Sequence, residues 1–352
     1  MRFELHSAAA MGDERSQSAL TAILRRVEIG VHELSFDDPA DVEETAWFIG
    51  LKPYEQELVR LLIEAQLWSW RPTHATPIRA ASETHAAERL ADAPLLIFVE
   101  NHASDGALVR AAVLAYASRP TRKVWEAGDR ETHRGWEFVP CGGTGEMPSL
   151  LRDYSQQRGV ALRAVVVFDS DAKLPPRLAN TTAGQPPDEH QKIMDAAQRL
   201  SVPCVRLPLR EAENYLPDAF WDHWLRSDRD LLSYANTVEA LKRLSPEQRD
   251  HIDMEGDDRL DIQKEEPPGP LFDGSDAKNP ALDGADLAAL SGKRKNLKRG
   301  PKIKGQDERV HRIRLRLLSK YVAEGNVTAE DLDSRDRAGS LRALVKLLSE
   351  RL

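Results

Sequence analysis

The stretch Val165-Val166-Val167-Phe168-Asp169-Ser170-Asp171 decides the fold: four apolar residues, three of them β-branched, run straight into two carboxylates at i and i+2. A short continuous apolar run of this kind is a strand buried on both faces, as in a parallel sheet. Ligands of such sheets gather at the carboxyl ends of the strands. Asp169 and Asp171 are therefore expected together at the mouth of a sheet. Two carboxylates so close repel each other unless a cation stands between them, and Mg²⁺ is the usual one. An Asp-x-Asp pair also ends many strands without binding metal, so the rest of the chain has to weigh in.

Working outward, Pro94-Leu-Leu-Ile-Phe-Val99 is a second buried-strand run, ending in Glu100 and followed by Asn101-His-Ala-Ser104-Asp105. A helix is expected from Ser104, with Ala107, Leu108, Ala111, Ala112, Leu114 and Ala115 as its apolar stripe. Helix capping alone, at about 1 kcal/mol, would account for Asp105. It leaves Glu100 without a structural reason. Trp136-Glu-Phe-Val139 reads as a strand leading to Gly142-Gly-Thr-Gly145, then a helix over roughly 146–158. Pro187 to Leu200 reads as a helix, Cys204-Val-Arg-Leu207 as a strand, and Leu209-Arg-Glu211-Ala-Glu213-Asn-Tyr-Leu216 follows. Strand–helix alternation with short loops predicts a parallel α/β sheet covered by helices. Four strand ends then face one way, and three of them carry carboxylates.

These residues resemble a TOPRIM domain, which has a glutamate after its first strand, an acid shortly beyond, a Gly-Gly turn after the second strand and Asp-x-Asp after the third. Glu211-Ala-Glu213-Asn-Tyr-Leu216 resembles the Glu-x-Glu-Asn-Tyr-Leu segment of overcoming-lysogenisation-defect (OLD) nucleases and related phage-defence proteins. The resemblance covers about residues 92–225. It implies a Rossmann-like parallel sheet with flanking helices at 91–225, between a helical N-terminal segment, 1–90, and a helical C-terminal region, 226–352. The chain departs from the family in having Asn101 where a glycine usually stands. The next acid, Asp105, lies five residues past Glu100 rather than four, with Ser104 at the usual place. Asn tolerates left-handed backbone better than most residues, so the turn is expected to survive.

Phosphodiester hydrolysis needs a nucleophilic water and a stabilised leaving oxygen, and divalent ions about 4 Å apart supply both. Hard cations take oxygen ligands, which Glu100, Asp105, Asp169, Asp171 and Glu213 offer. The resemblance implies Mg²⁺ or Mn²⁺ held by Asp169 and Asp171, with Glu100 also as general acid/base. Glu211 and Glu213 would face opposite ways on a strand, and Glu213 is preferred for the site. In nucleases of this kind a downstream lysine completes the centre; Lys302, Lys304 and Lys320 are the candidates.

Charge is divided along the chain. Residues 291–352 carry 17 Lys and Arg against 8 Asp and Glu, leaving 32 against 49 in residues 1–290 of a chain with net charge −8. A basic arm beside an acidic body fits nucleic acid, DNA or RNA, as partner. Lys293, Arg294, Lys295, Lys298, Arg299, Lys302 and Lys304 are its densest part, followed by Arg309, Arg312, Arg314 and Arg316 on an expected helix with Val310, Ile313, Leu317 and Leu318 inward. A solvated face, or a contact with the acidic body, is the plainer reading of such a run.

The 352 residues, 41% apolar and 30% charged, give a globular chain with room for two or three domains. Cys141 and Cys204 lack metal-ligand spacing and are expected as core thiols in a reduced, cytoplasmic setting. No apolar run approaches the ~18 residues of a membrane span, and Met1-Arg-Phe-Glu-Leu-His lacks a signal-peptide core. Residues 16–27 and 53–70 read as amphipathic helices, with Trp68 and Trp70 as core or partner-contact residues. The stretch 250–290, rich in Asp, Gly and Pro, reads as a mobile loop. No Gly-x4-Gly-Lys-Ser/Thr loop is present, so the chain is not expected to hydrolyse ATP. By the resemblance, a separate ABC-type ATPase is the expected partner in an anti-phage defence assembly, with self-association compatible. Two other classes follow the same residues: a primase or topoisomerase, for which no tyrosine motif is evident, and a non-catalytic binding or sensor subunit.

Overall fold

The computed structural model describes residues 2–28, 32–68, 75–130, 135–158, 162–172, 188–227, 229–252, 254, 272, 278–279, 281–286, 288–290 and 313–352. Among the described residues seven strands lie in two sheets. β1 (Arg2–Leu5), β2 (Glu33–Phe36) and β3 (Thr76–Ile78) form the first, in the order β2-β1-β3. β4 (Leu95–Val99), β5 (Trp136–Pro140), β6 (Ala164–Phe168) and β7 (Cys204–Arg206) form the second, in the order β5-β4-β6-β7. Every pairing in both is parallel.

The first sheet adds three strands to the segment over 1–90, which reads from the sequence as mainly helical. Helices Glu14–Glu28 and Pro53–Trp68 are present, but Phe3, Leu5, Leu34, Phe36 and Ile78 from the strands share one core with Leu20, Ile23, Leu24 and Trp47. Strands of four, four and three residues show too few alternations to register, and β3 carries Pro77, which argues against a strand when read alone. Trp68 is 86% exposed, so it is no core residue, and Trp70 lies outside the described residues.

His32 sits at the edge of this core. Its Nε2 faces the Ala91 carbonyl at 2.8 Å and must donate to it, while Nδ1 is buried without a partner and the ring meets Phe3 edge-on. Burial pushes the imidazole pKa down to about 3, outweighing the Ala91 bond. In the unfolded chain it titrates near 6.5. Between these values the unfolded state binds more protons, so stability falls as pH drops through the window, by at most about 1.4 kcal/mol per pH unit. His32→Phe is expected to flatten the stability profile between pH 6.5 and 4 relative to the unaltered chain. Parallel profiles from chemical denaturation would contradict this.

The second sheet is the predicted one. Alternation along its strands divides two cores: Leu95, Ile97, Val99, Val165 and Val167 point to one side, Leu96, Phe98, Ala164, Val166 and Phe168 to the other. Helices Met147–Arg158 and Asp188–Arg199 cover the second side through Met147, Leu151, Ile193 and Ala197. Helix Asp105–Tyr116 covers the first. So do helices Ile313–Ala323 and Ser340–Arg351, through Leu315, Leu318, Tyr321, Leu344 and Leu348. The described part of the C-terminal region is therefore helical as expected, and its last helices share the sheet's core. Leu315 joins Leu318 inside, and Leu317, expected inward, packs half-buried against the same core. Of the expected mobile loop, Ile252, Met254, Phe272, Asn279, Asp286 and Leu290 are buried, so these residues anchor to the body.

Arg163, at the opposite end of the sheet from the carboxylates, ties this arrangement together. Its guanidinium, 4% exposed, donates to the carbonyls of Ala93, Arg351 and Leu352. The start of β6 is thereby bonded to the end of helix Ser340–Arg351. No helix among the described residues is long and apolar enough to cross a membrane.

Candidate metal centre

Register sets the site. Val99 stands opposite both Pro140 and Val167, and Phe168 opposite Arg206. The strands therefore end level, and Glu100, Cys141, Asp169 and Leu207 follow at the same edge. Strand order reverses direction between β4 and β6, and such a switch point opens a crevice at the carboxyl ends. Glu100 and Asp169 flank it.

After β4 the chain turns into helix Asp105–Tyr116. Asn101, at the position expected to need a left-handed backbone, does not adopt one; among described non-glycine residues only Asp171 and Ser201 have positive φ. Its side chain makes the turn instead. Asn101 Oδ1 accepts from the Ala103 N–H, and the Asn101 carbonyl accepts from the N–H groups of Asp105 and Gly106. The Asn101 N–H in turn donates to Asp105 Oδ2 at 2.7 Å, and the Ser104 hydroxyl donates to Oδ1. Of the two candidates Ser104 and Asp105, Asp105 is thus the buried acid, 3% exposed, with Ser104 supporting it. The neighbouring turn closes the other flank: Gly142 (φ 74°) and Gly143 (φ 142°) occupy conformations that side chains disfavour, and the Gly142 N–H donates to the Glu100 carbonyl. Cys141 lies under this turn, its thiol pushed up to about 12 by burial and then by the charges of Glu100 and Asp105. It is an inert core thiol, as read from the sequence; Cys204 is half-buried.

Asp169 is the centre of the cluster. Burial, then the charges of Asp105 and Glu213, push its carboxyl well above the usual range, against the bond that Oδ2 accepts from the Ala212 N–H at 2.9 Å. Its Oδ1 is buried with no hydrogen-bond partner. Asp171 parts from it. The backbone turns left-handed at Asp171 (φ 50°), and its carboxylate, half-exposed, meets the fully buried His190 Nε2 at 3.1 Å. The two aspartates leave the strand together but face different partners.

Glu213 reaches Asp169 from beyond β7. Glu213 lies not on a strand but in a 3-10 turn, Ala212–Tyr215, which the extended Glu211 caps; the charges of both act on Asp169, that of Glu213 the more strongly. Asn214 holds the turn: its Oδ1 accepts from the Glu211 N–H and its Nδ2 donates to the carbonyls of Arg249 and Ile252. The Asn214 carbonyl accepts from Arg335, which also pairs with buried Asp250 at 2.8 Å. Tyr215 is fully buried, its hydroxyl shared between the Leu209 N–H and Ser340. His190, Asp250 and Arg335 were missed in the sequence. They lie in ordinary amphipathic or polar stretches, and nothing local marks them.

The structure thus gathers Asp105, Asp169 and Glu213, with Glu100 half-buried at the rim and Asp171 turned to His190. These donors fit a hard divalent cation in kind: oxygens only, with the Asp169 Oδ1 buried and unbonded. As they stand, no group of three or more His, Cys, Asp or Glu side chains among the described residues, these acids included, is placed to hold a metal ion. Lys293, Arg294, Lys295, Lys298, Arg299, Lys302 and Lys304 lie outside the described residues; Lys320 is exposed and paired with Glu324. Compared with models of protein families, with curated proteins and with solved structures, the chain matches none of them.

Proposed function

We propose that this chain is a TOPRIM-type nuclease that hydrolyses phosphodiester bonds of DNA or RNA with Mg²⁺ or Mn²⁺. The observation that carries this reading is the arrival of Asp105, Asp169 and Glu213 from beyond three parallel strands at a switch point, around a buried carboxylate oxygen with no partner. A buried carboxylate oxygen of this kind calls for a reason, because each unsatisfied buried polar atom costs about 1–3 kcal/mol. The defence role, with a separate ABC-type ATPase, rests on the likeness of Glu211–Leu216 to the phage-defence nucleases and on the lack of a P-loop.

Asp105, Asp169 and Glu213 would hold the cation, which supplies a nucleophilic water and stabilises the leaving oxygen. The chain's own residues do the rest. The Ala212 N–H fixes Asp169 by one oxygen and leaves the other as donor. The Asn101 turn orients Asp105, and the Asn214 turn orients Glu213. Glu100, at the rim, moves the proton of the attacking or departing oxygen. Cleavage of plasmid DNA, single-stranded DNA and tRNA with each metal is expected, reduced roughly 10²- to 10⁴-fold in Glu100→Ala. Equal cleavage by that variant would overturn the assignment, and metal binding without turnover on any substrate would favour a binding subunit instead.

A further inference from the structure

Beside the carboxylates lies a pocket of opposite charge. It measures about 280 Å³ and is lined by His102, Ala107, Arg110, Arg316 and Ser319. We infer that it holds a phosphate of the polynucleotide, flanking the one to be cut. This deepens the nuclease reading and rests on it.

Two permanent cations enter the pocket from different helices, Arg110 from Asp105–Tyr116 and Arg316 from Ile313–Ala323. Arg110 is held by stacking, its guanidinium carbon 5.1 Å from the Trp136 ring centre and 5.3 Å from that of Phe138. Trp136 in turn stacks on Trp125 at 3.9 Å. A guanidinium fixed in this way loses little freedom when it meets an oxyanion, and its planar fork suits phosphate. The floor is rigid as well, because Ser319 Oγ donates to the Ala107 carbonyl across the two helices. His102 forms the rim towards the metal centre. Its ring packs on Phe138 and lies so close to Gly106 that a Cβ there would stand 2.9 Å from the imidazole Cδ2.

Two features favour a polynucleotide over a free nucleotide. His102 follows Glu100 by two residues, so their Cα atoms are within about 7 Å and one strand of nucleic acid can touch both. Helix Ile313–Ala323, which carries Arg316, is entered in sequence directly from the basic run Lys293–Arg312. In sequence, then, basic residues precede the helix that brings Arg316 to the pocket, and Glu100 stands two residues from its His102.

Binding of labelled single-stranded DNA, duplex DNA and RNA to the full chain, in EDTA and across a range of salt, tests this without cleavage. Arg316 is exposed, so Arg316→Ala and Arg316→Glu should fold normally. The alanine variant is expected to bind about tenfold more weakly. Its salt slope should fall by about 0.9 on duplex or 0.7 on single strands, one phosphate contact. Gly106→Ala, which displaces His102 without altering charge, is expected to weaken binding too. Unchanged affinity and slope in both Arg316 variants would overturn the pocket while leaving the nuclease reading intact. Binding through Arg316 by a chain that never cleaves would do the reverse. AMP or inorganic phosphate lost from Arg316→Ala, with polynucleotide binding unaltered, would reassign the pocket to a free nucleotide and overturn the inference.

Discussion

Asp169→Asn is expected to abolish metal-dependent cleavage, by roughly a thousandfold or more, and at the same time to make the metal-free chain more stable. The two effects share one cause. Asp169 is buried against Asp105 and Glu213, and one of its oxygens has no partner. An asparagine keeps the bond from the Ala212 N–H through its own oxygen. Its amide then donates toward the two acids where a carboxylate repelled them. The gain should be of the order of 1–3 kcal/mol, the usual cost of an unsatisfied buried polar group. It also has a pH signature. A carboxyl whose folded pKa is raised holds its proton in the native state above 3.8, where the unfolded chain has released it. Native-state proton binding exceeds unfolded-state binding there, so stability of the unaltered chain falls as pH climbs from about 4 through the raised value. The variant should lack that fall. Mg²⁺ should raise the melting temperature of the unaltered chain and not of the variant. Chemical denaturation in EDTA and in Mg²⁺ reads all of this, and a variant less stable than its parent, or still cleaving, would count against the centre.

Asn214→Leu carries the second large effect. The leucine nearly matches the volume but strands the carbonyls of Arg249 and Ile252 away from water and removes the bond to the half-buried Glu211 N–H. Two buried carbonyls without partners should cost about 2–5 kcal/mol. Because the same bonds shape the turn that presents Glu213, cleavage by the folded fraction should drop at least about tenfold. Urea denaturation separates the two losses, since activity per folded molecule can be measured well below the midpoint. Stability within about 1 kcal/mol of the parent would show that this network is not what holds the turn.

The contrast between these sites shows what was legible. Asp169 stood out because a continuous apolar run can end only where a buried strand ends, and a carboxylate there needs a reason. Period-two alternation inside such runs then divides the sheet's faces, as Ile97 and Phe98 do. Asn214 stood out only through likeness to a motif; its partners Arg249, Ile252 and Arg335 lie 35 to 121 residues away. No local pattern records bonds of that range. The short strands Arg2–Leu5 and Glu33–Phe36 were missed for a related reason, since each is stable only when paired with the other.

By itself the chain determined that a parallel sheet forms from the runs at 95–99 and 164–168, that acids follow three of its strands, and that its basic charge is gathered after residue 290. Those are properties of local hydrophobicity and composition, which need no partner to be expressed. Tertiary structure alone decided which acids meet. It turned Asp171 toward His190, folded Asp105 back on Asn101, bent Glu211 and Glu213 into one turn, and set Arg110 beside Arg316. Such choices depend on backbone torsions at single residues and on hydrogen bonds between distant segments, and these exist only once the core has closed.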